Sequence, residues 1–273
     1  MIRHFQKIIL PPFIFACIIL MVKCETNTEH ASLPPSVDPY LNHSDTARYV
    51  GMQTCRLCHQ KIYDSFIQTG MGQSFATATK QKSSASFQSS TVIYDSYQDF
   101  YYHPFWSADT MKIMEFRLKG KDTVFKRIEK VDYIVGSGQH TNSHIHNSNG
   151  YLVQMPMTFF SQKKKWDFPP GFENGFNTHF NRKIGLECMS CHNAMPDFVL
   201  GSENKFNSLP EGINCERCHG PGSIHVQQRS TSEKIDTSRY IDYSIVNPGK
   251  LSIDRQFDVC QRCHLQGNTV LKE

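Results

Sequence analysis

Four occurrences of one pentapeptide limit what this chain can become: C-R-L-C-H at Cys55 to His59, C-M-S-C-H at Cys188 to His192, C-E-R-C-H at Cys215 to His219, and C-Q-R-C-H at Cys260 to His264. In C-x-x-C-H two thiols add to the vinyl groups of a porphyrin and the adjacent imidazole takes an axial place on its iron, so the pattern marks covalent c-type haem attachment. In a chain of 273 residues with 10 Cys and 13 His, chance would give such a pentapeptide on the order of 0.02 times. Paired C-x-x-C can also build a tetrahedral zinc site, but two such pairs complete it without histidine. Here a histidine follows every second cysteine. The cofactors expected are four covalently bound haems. Cys55, Cys58, Cys188, Cys191, Cys215, Cys218, Cys260 and Cys263 are the thioether carriers, and His59, His192, His219 and His264 the proximal ligands.

The cysteine count also bears on compartment. Eight of the ten cysteines lie in the motifs, and the other two, Cys17 and Cys24, lie in or at the end of an N-terminal apolar stretch. That stretch has Arg3 and Lys7, an apolar run from Ile8 to Val22 broken by Pro11 and Pro12, and then Lys23 and Cys24. A basic start followed by a short apolar core reads as an export signal over residues 1–24. The fifteen-residue run is short for a membrane span of about 20. Cys24 stands where a lipoprotein signal would place its lipidated cysteine, so membrane association through Cys24 is an expectation. Residues 25–47, with Pro34, Pro35 and Pro39, read as a polar linker. The protein is thus expected to be exported, periplasmic or attached to the envelope.

The formal charge of +4 and the pI of about 8.5 describe the polypeptide alone. Four haems add roughly 4 to 8 negative charges from their propionates, which removes the basic pI as an argument for nucleic acid.

Residues 48–273 read as one tetrahaem domain. Its motifs begin at 55, 188, 215 and 260, so one stands 133 residues ahead of a cluster of three. After the first motif, Ile62, Phe66 and Ile67 share one face of a helix over 60–69, with Gly70 placed to end it. A β-rich insertion over 86–165 follows, with strands expected over 90–95, 100–105, 111–118, 123–133 and 151–160. Met111, Ile113, Glu115 and Arg117 alternate, as do Val124, Lys126, Ile128 and Lys130, and Lys119-Gly120-Lys121-Asp122 reads as the hairpin turn between them. This sheet is expected to separate haem 1 from the rest. From Asn181 onward turn residues dominate, as in Gly220-Pro221-Gly222 and Asn247-Pro248-Gly249. The fold class expected is α+β with little regular structure, short helices and loops wrapped around haems, and no stable fold without them.

The residues resemble a known group. Tyr49-Val50-Gly51-x-x-x-Cys55-x-x-Cys58-His59 followed by Ile62-Tyr63-x-Ser65-Phe66 is similar to the opening of cytochrome c-552/c-554-type multihaem domains. Cys188-x-x-Cys191-His192-Asn193, Glu211-Gly212-Ile213-x-Cys215-x-x-Cys218-His219-Gly220-Pro221-Gly222-x-x-His225 and Ile245-Val246-Asn247-Pro248 resemble longer bacterial envelope proteins in which this domain is often joined to tetratricopeptide repeats. The resemblance implies electron transfer through packed haems, most irons being held by two histidines. Where many such domains have a histidine after the first haem helix, this sequence reads Thr69-Gly70-Met71-Gly72. The chain ends nine residues after His264, and so looks like a shortened member or a fragment.

Sixth ligands decide between wire and enzyme, because two protein ligands give electron transfer and an open position permits substrate chemistry. His225 is the first candidate, since the turn in C-H-G-P-G-S-I-H can aim its imidazole at a neighbouring haem. His140 follows, in Gly136-Ser137-Gly138-Gln139-His140, where glycines allow close approach to a flat cofactor and similar proteins keep a histidine. Met71 is a candidate for haem 1, and a thioether there would raise its potential. His144 and His179 complete the set. The function expected is electron transfer, with redox partner proteins or a quinol-linked membrane complex as partners. The alternatives are an oxidoreductase with one five-coordinate haem acting on a small nitrogen or sulfur oxyanion, and a redox-sensing module.

Overall fold

Alternation of apolar and polar side chains produces most of the regular structure. The computed structural model describes residues 38–88, 91–231 and 235–265. The expected export signal with Cys17 and Cys24, and the linker up to residue 37, lie outside the described residues. A compact unit begins at Pro39, so residues 39–47, expected in the linker, belong to that unit.

The helices and strands run in the order α1 (Met52–Phe66), β1 (Phe75–Thr77), β2 (Ile93–Asp95), β3 (Phe100–Ser107), β4 (Thr110–Lys119), β5 (Asp122–Lys130), β6 (Tyr133–Val135), β7 (Thr141–Ser148), β8 (Tyr151–Phe160), β9 (Lys165–Asp167), β10 (Arg182–Lys183), α2 (Leu186–His192), β11 (Asp197–Phe198), β12 (Phe206–Ser208), α3 (Glu216–His219), α4 (Ser223–Thr231) and α5 (Ile253–His264). Strands β2 to β5 form an antiparallel meander. The larger antiparallel sheet has the order β1-β6-β7-β8-β10, with β9 also paired to β8. A small hairpin joins β11 to β12.

The meander presents Tyr102, Met111, Ile113 and Glu115 inward, all buried, while Tyr101, Met114 and Phe116 on the other face are half-buried. Lys119 pairs with Asp122, leaving Gly120 and Lys121 as the two-residue turn that the sequence predicts. The expected strand over 123–133 is in fact two. The chain leaves the meander after Lys130, crosses at Val131 and Asp132, and enters the larger sheet as β6. Side chains from both sheets share one core: Tyr102, Met111 and Ile113 from the meander meet Ile134, Met157 and Trp166 from the larger sheet. Each large apolar side chain buried in this way is worth about 1.5–3 kcal/mol.

A second core, made of Phe75, Ile145, Leu152, Ile184, Met189 and Phe206, joins the larger sheet to α2. Met189 is a middle residue of the second C-x-x-C-H, so the sheet fixes that motif directly. The α+β class stands, but with sheets more extensive than the small one expected. In contrast, α1 and α5 contain no buried residue. Leu57 is 83% exposed, Ile62 65% and Phe257 57%.

Candidate haem-binding site

Each C-x-x-C-H occupies one helical turn, in which positions i, i+3 and i+4 share a face. The first lies within α1, which follows Gly51 at φ 80° and kinks at His59 (φ −112°, ψ 38°). The second, third and fourth motif histidines are the last residues of α2, α3 and α5.

Tertiary structure brings the motifs together in an order different from that of the sequence. The Cys55 thiol hydrogen-bonds Cys215, and that shared bond pushes the Cys55 thiol up and draws the Cys215 thiol down. Cys191 hydrogen-bonds Cys263, and Cys218 lies near enough to feel the charges of Cys263 and Cys260. Motif 1 therefore touches motif 3, and motif 4 lies beside both 2 and 3. The expectation that the first site stands apart is corrected: 133 residues of chain loop out as the two sheets and return to the starting point. Arginines inside the motifs tie the cluster. Arg217 Nη2 donates to Ser190 O at 2.5 Å and Nη1 lies 3.5 Å from Met195 Sδ. Arg262 Nη1 donates in turn to Arg217 O at 3.3 Å.

Glu216, 1% exposed, joins motif 3 to the chain entering motif 1. Its Oε1 accepts from the amides of Val50 and Gly222, both at 2.9 Å, and its Oε2 from Gly51 at 2.8 Å. On the other side, the buried Asn42 donates through Nδ2 to His219 O at 2.9 Å. The start of α4 is pinned by reciprocal bonds between Arg48 and Ser223, at 2.8 and 3.1 Å.

Helix α4 carries His225 to His59. Their ring centroids are 6.2 Å apart with planes 18° from parallel. Two imidazoles that flank one metal, each with a metal–nitrogen bond of about 2.0–2.1 Å, have ring centres about 6.3 Å apart, a spacing that this pair matches. The Nδ1 atoms of His225 and of the motif 3 histidine are engaged: His225 Nδ1 lies 2.9 Å from Ser244 Oγ, and His219 Nδ1 donates to Val246 O at 2.8 Å. Such bonds fix the tautomer and leave Nε2 as the ligating nitrogen. The exposed apolar residues of α1 and α5, on helices that bury nothing of their own, are a surface of the kind a porphyrin covers. Donor set, spacing and apolar surround all fit c-type haem.

The other candidate ligands lie elsewhere. His144 is corrected: it is 0% exposed inside the larger sheet, stacked on Trp166 at 5.1 Å with Nδ1 donating to Met157 O at 2.9 Å, and protein encloses it on every side. His179 is corrected too. Its Nδ1 is committed to the buried Glu115 at 2.5 Å and the Tyr102 hydroxyl at 3.0 Å, inside the β-rich region. His140 is exposed, with Nδ1 accepting from Gln162 at 2.8 Å. Met71 is 47% exposed, and its carbonyl accepts from Ile213 N at 3.1 Å beside motif 3. Among the described residues, His225 on His59 is the one ring contact made to a motif histidine. Glu216, Arg217 and Ser244 carry no sequence pattern of their own; position inside a C-x-x-C-H was the available signal for the first two.

A cavity of about 590 Å³ opens between α1 and the chain after motif 2, lined by Tyr63, Ile67, Phe75, Met195, Lys82 and Glu211 among others. Burial pulls the Lys82 ammonium down to about 8, and it donates to Gln73 O at 2.5 Å and Gly136 O at 2.7 Å.

Residues 172–220 match the family model for cytochrome c554 and c-prime. The crystal structure of outer cell wall cytochrome OcwA aligns with 81% of this chain at 17% identity and a TM-score of 0.46, and the chain spans 38% of its length. No curated protein matches the sequence. Two of the four C-x-x-C-H motifs, the second and the third, fall inside the segment matched by the family model.

Proposed function

We propose that this chain is a tetrahaem electron carrier of the cell envelope, with the polypeptide wrapped around haems in the spatial order 1, 3, 4, 2. The observation that carries the reading is the near-parallel pairing of His225 with His59 across 6.2 Å. An iron held from both sides is closed to substrate and suited to one-electron exchange. Bound haem supplies a one-electron iron couple. The protein's part is to fix spacing and ligands. Arg217 and Arg262 hold motifs 2, 3 and 4 together, and Glu216 holds motif 3 against motif 1. In this reading His225 is the sixth ligand of haem 1, and Met71 packs rather than ligates. Residues 1–24 export the chain, lipidation of Cys24 retains it at a membrane surface, and its partners are redox proteins or a quinol-linked membrane complex. Among the described residues no helix is long and apolar enough to cross a membrane.

The test has two readings on purified holoprotein. A pyridine haemochrome assay should give four haems per chain. Carbon monoxide added to the ferrous protein should leave the spectrum nearly unchanged. A count other than four, or a shift in one quarter of the Soret absorbance, would overturn the carrier reading, the shift in favour of an oxidoreductase with one open haem.

A further inference from the structure

We infer that Ser244 and Asp242 form a charged relay behind His225 that lowers the reduction potential of the iron at motif 1, an inference that rests on His225 being its sixth ligand. The geometry is a directed chain. His225 Nδ1–H donates to Ser244 Oγ at 2.9 Å, and the Ser244 hydroxyl donates to Asp242 Oδ1 at 2.5 Å. Asp242 Oδ2 itself lies 3.4 Å from His225 Nδ1. The carboxylate is fixed by the Ser244 amide at 3.0 Å and by Arg229 Nε at 3.2 Å. Ser244 is buried, and the side chains of His225 and Asp242 are 21% and 11% exposed, so solvent screens this network little.

A carboxylate behind the N–H of a ligating imidazole makes the opposite nitrogen a stronger donor. A stronger donor stabilises ferric over ferrous iron, and the one-electron reduction becomes less favourable. Arg229 offsets part of the charge but stands on the carboxylate, not on the imidazole. Two residues further along the same stretch, Val246 O accepts from His219 Nδ1 at 2.8 Å. One short segment, 242–246, therefore backs two histidines, the α4 histidine that faces His59 and the motif 3 histidine, the first with a charged relay and the second with a neutral carbonyl. The segment sets the iron at motif 1 below the iron at motif 3, and Ser244 and Asp242 are positioning residues that act through His225.

The experiment is a spectroelectrochemical titration of the full-length holoprotein carrying Asp242→Asn, which keeps shape while removing charge, beside Ser244→Ala, Asp242→Glu and His225→Ala. In Asp242→Asn one of the four one-electron components should shift by about tenfold in its reduction equilibrium, which is 59 mV upward for one electron. The other three should stay in place and all four haems should remain low-spin. Ser244→Ala should move the same component upward, and Asp242→Glu should restore most of the wild-type value. His225→Ala should convert one haem in four to a carbon-monoxide-binding form, and the component it alters should be the one moved by Asp242→Asn. If His225→Ala converts one haem while Asp242→Asn and Ser244→Ala leave all four potentials unchanged, the relay inference falls alone. If His225→Ala leaves every haem low-spin, the ligand reading falls and takes the inference with it. Should Asp242→Asn lose haem, Ser244→Ala decides.

Discussion

Replacement of Glu216 tests how the first and third motifs are joined. Its carboxylate accepts three backbone N–H groups, from Val50 and Gly222 at Oε1 and from Gly51 at Oε2. Hydrogen bonds to a charged group contribute about 1.5–3 kcal/mol each, and an unmade buried donor costs about 1–3 kcal/mol. Gly222 N is buried and bears the full penalty on truncation, whereas the part-exposed amides of Val50 and Gly51 recover some of it from water. Glu216→Ala should then cost about 4 kcal/mol. Glu216→Gln keeps one acceptor oxygen for Val50 and Gly222 but sets an amide N–H₂ against the N–H of Gly51, for a loss of about 2 kcal/mol. Guanidinium unfolding of the holoprotein, read in the Soret band, measures both. The staple also positions α1, so Glu216→Ala should broaden or shift the low-spin signature of one haem in four. A loss under about 1 kcal/mol in Glu216→Ala would refute the argument, as would equal losses in the two variants.

Two further outcomes follow from the sheets. Burial pulls His144 down to about 4, against 6.5 when unfolded. Between those values the unfolded chain binds the extra proton, so the stability contributed by the neutral ring is complete above pH 6.5 and is lost as pH falls toward 4, by about 3 kcal/mol at most. Unfolding midpoints of wild type and His144→Phe should diverge across that window; parallel pH profiles would count against it. Ile113→Ala, at a fully buried site in the shared core, should cost about 2–5 kcal/mol. Its haem spectra should stay unchanged, and loss of a low-spin haem in this variant would contradict the separation of that core from the motifs.

The attachment chemistry was legible because C-x-x-C-H is a local pattern, and the meander was legible because its period of two survives in Met111, Ile113 and Glu115. What escaped was non-local or disguised. Strand β7 reads T-N-S-H-I-H-N-S, and its histidines look like ligands in a list of residue types. In the structure Asn142 and His144 are the inward side chains, hydrogen-bonded to carbonyls rather than apolar, so a hydrophobic alternation was never present to be seen. Separation along the chain was read as separation in space, yet the insertion leaves and re-enters at neighbouring points. Local sequence gives no sign of that closure, which depends on Glu216 meeting the amides of Val50 and Gly51. The Gly-Pro-Gly turn that redirects the chain toward His225 is a local signal, with Gly220 at φ 74°.

Sequence alone suggests a chain with no interior until haems provide one, and the distribution of buried residues argues otherwise. The meander and the larger sheet share a core of large apolar side chains, and a second core extends to Met189 in motif 2. Helices α1 and α5 have nothing comparable, and helices of 15 and 12 residues are marginal in water without a packed face. Stability should therefore divide. In a chain whose eight motif cysteines are replaced by serine, amides of β3, β4, β7 and β8 should remain protected from hydrogen exchange while those of α1 and α5 exchange at rates near the unfolded chain. The motif 2 helix should fall between, held to the second core through Met189 and Leu186. A haem-free chain that exchanges uniformly and melts without a cooperative transition would show that the sheets need the cofactor. Protection confined to the sheets would mean that β structure forms first and presents motif 2, with motifs 1, 3 and 4 ordering around it as haem is attached.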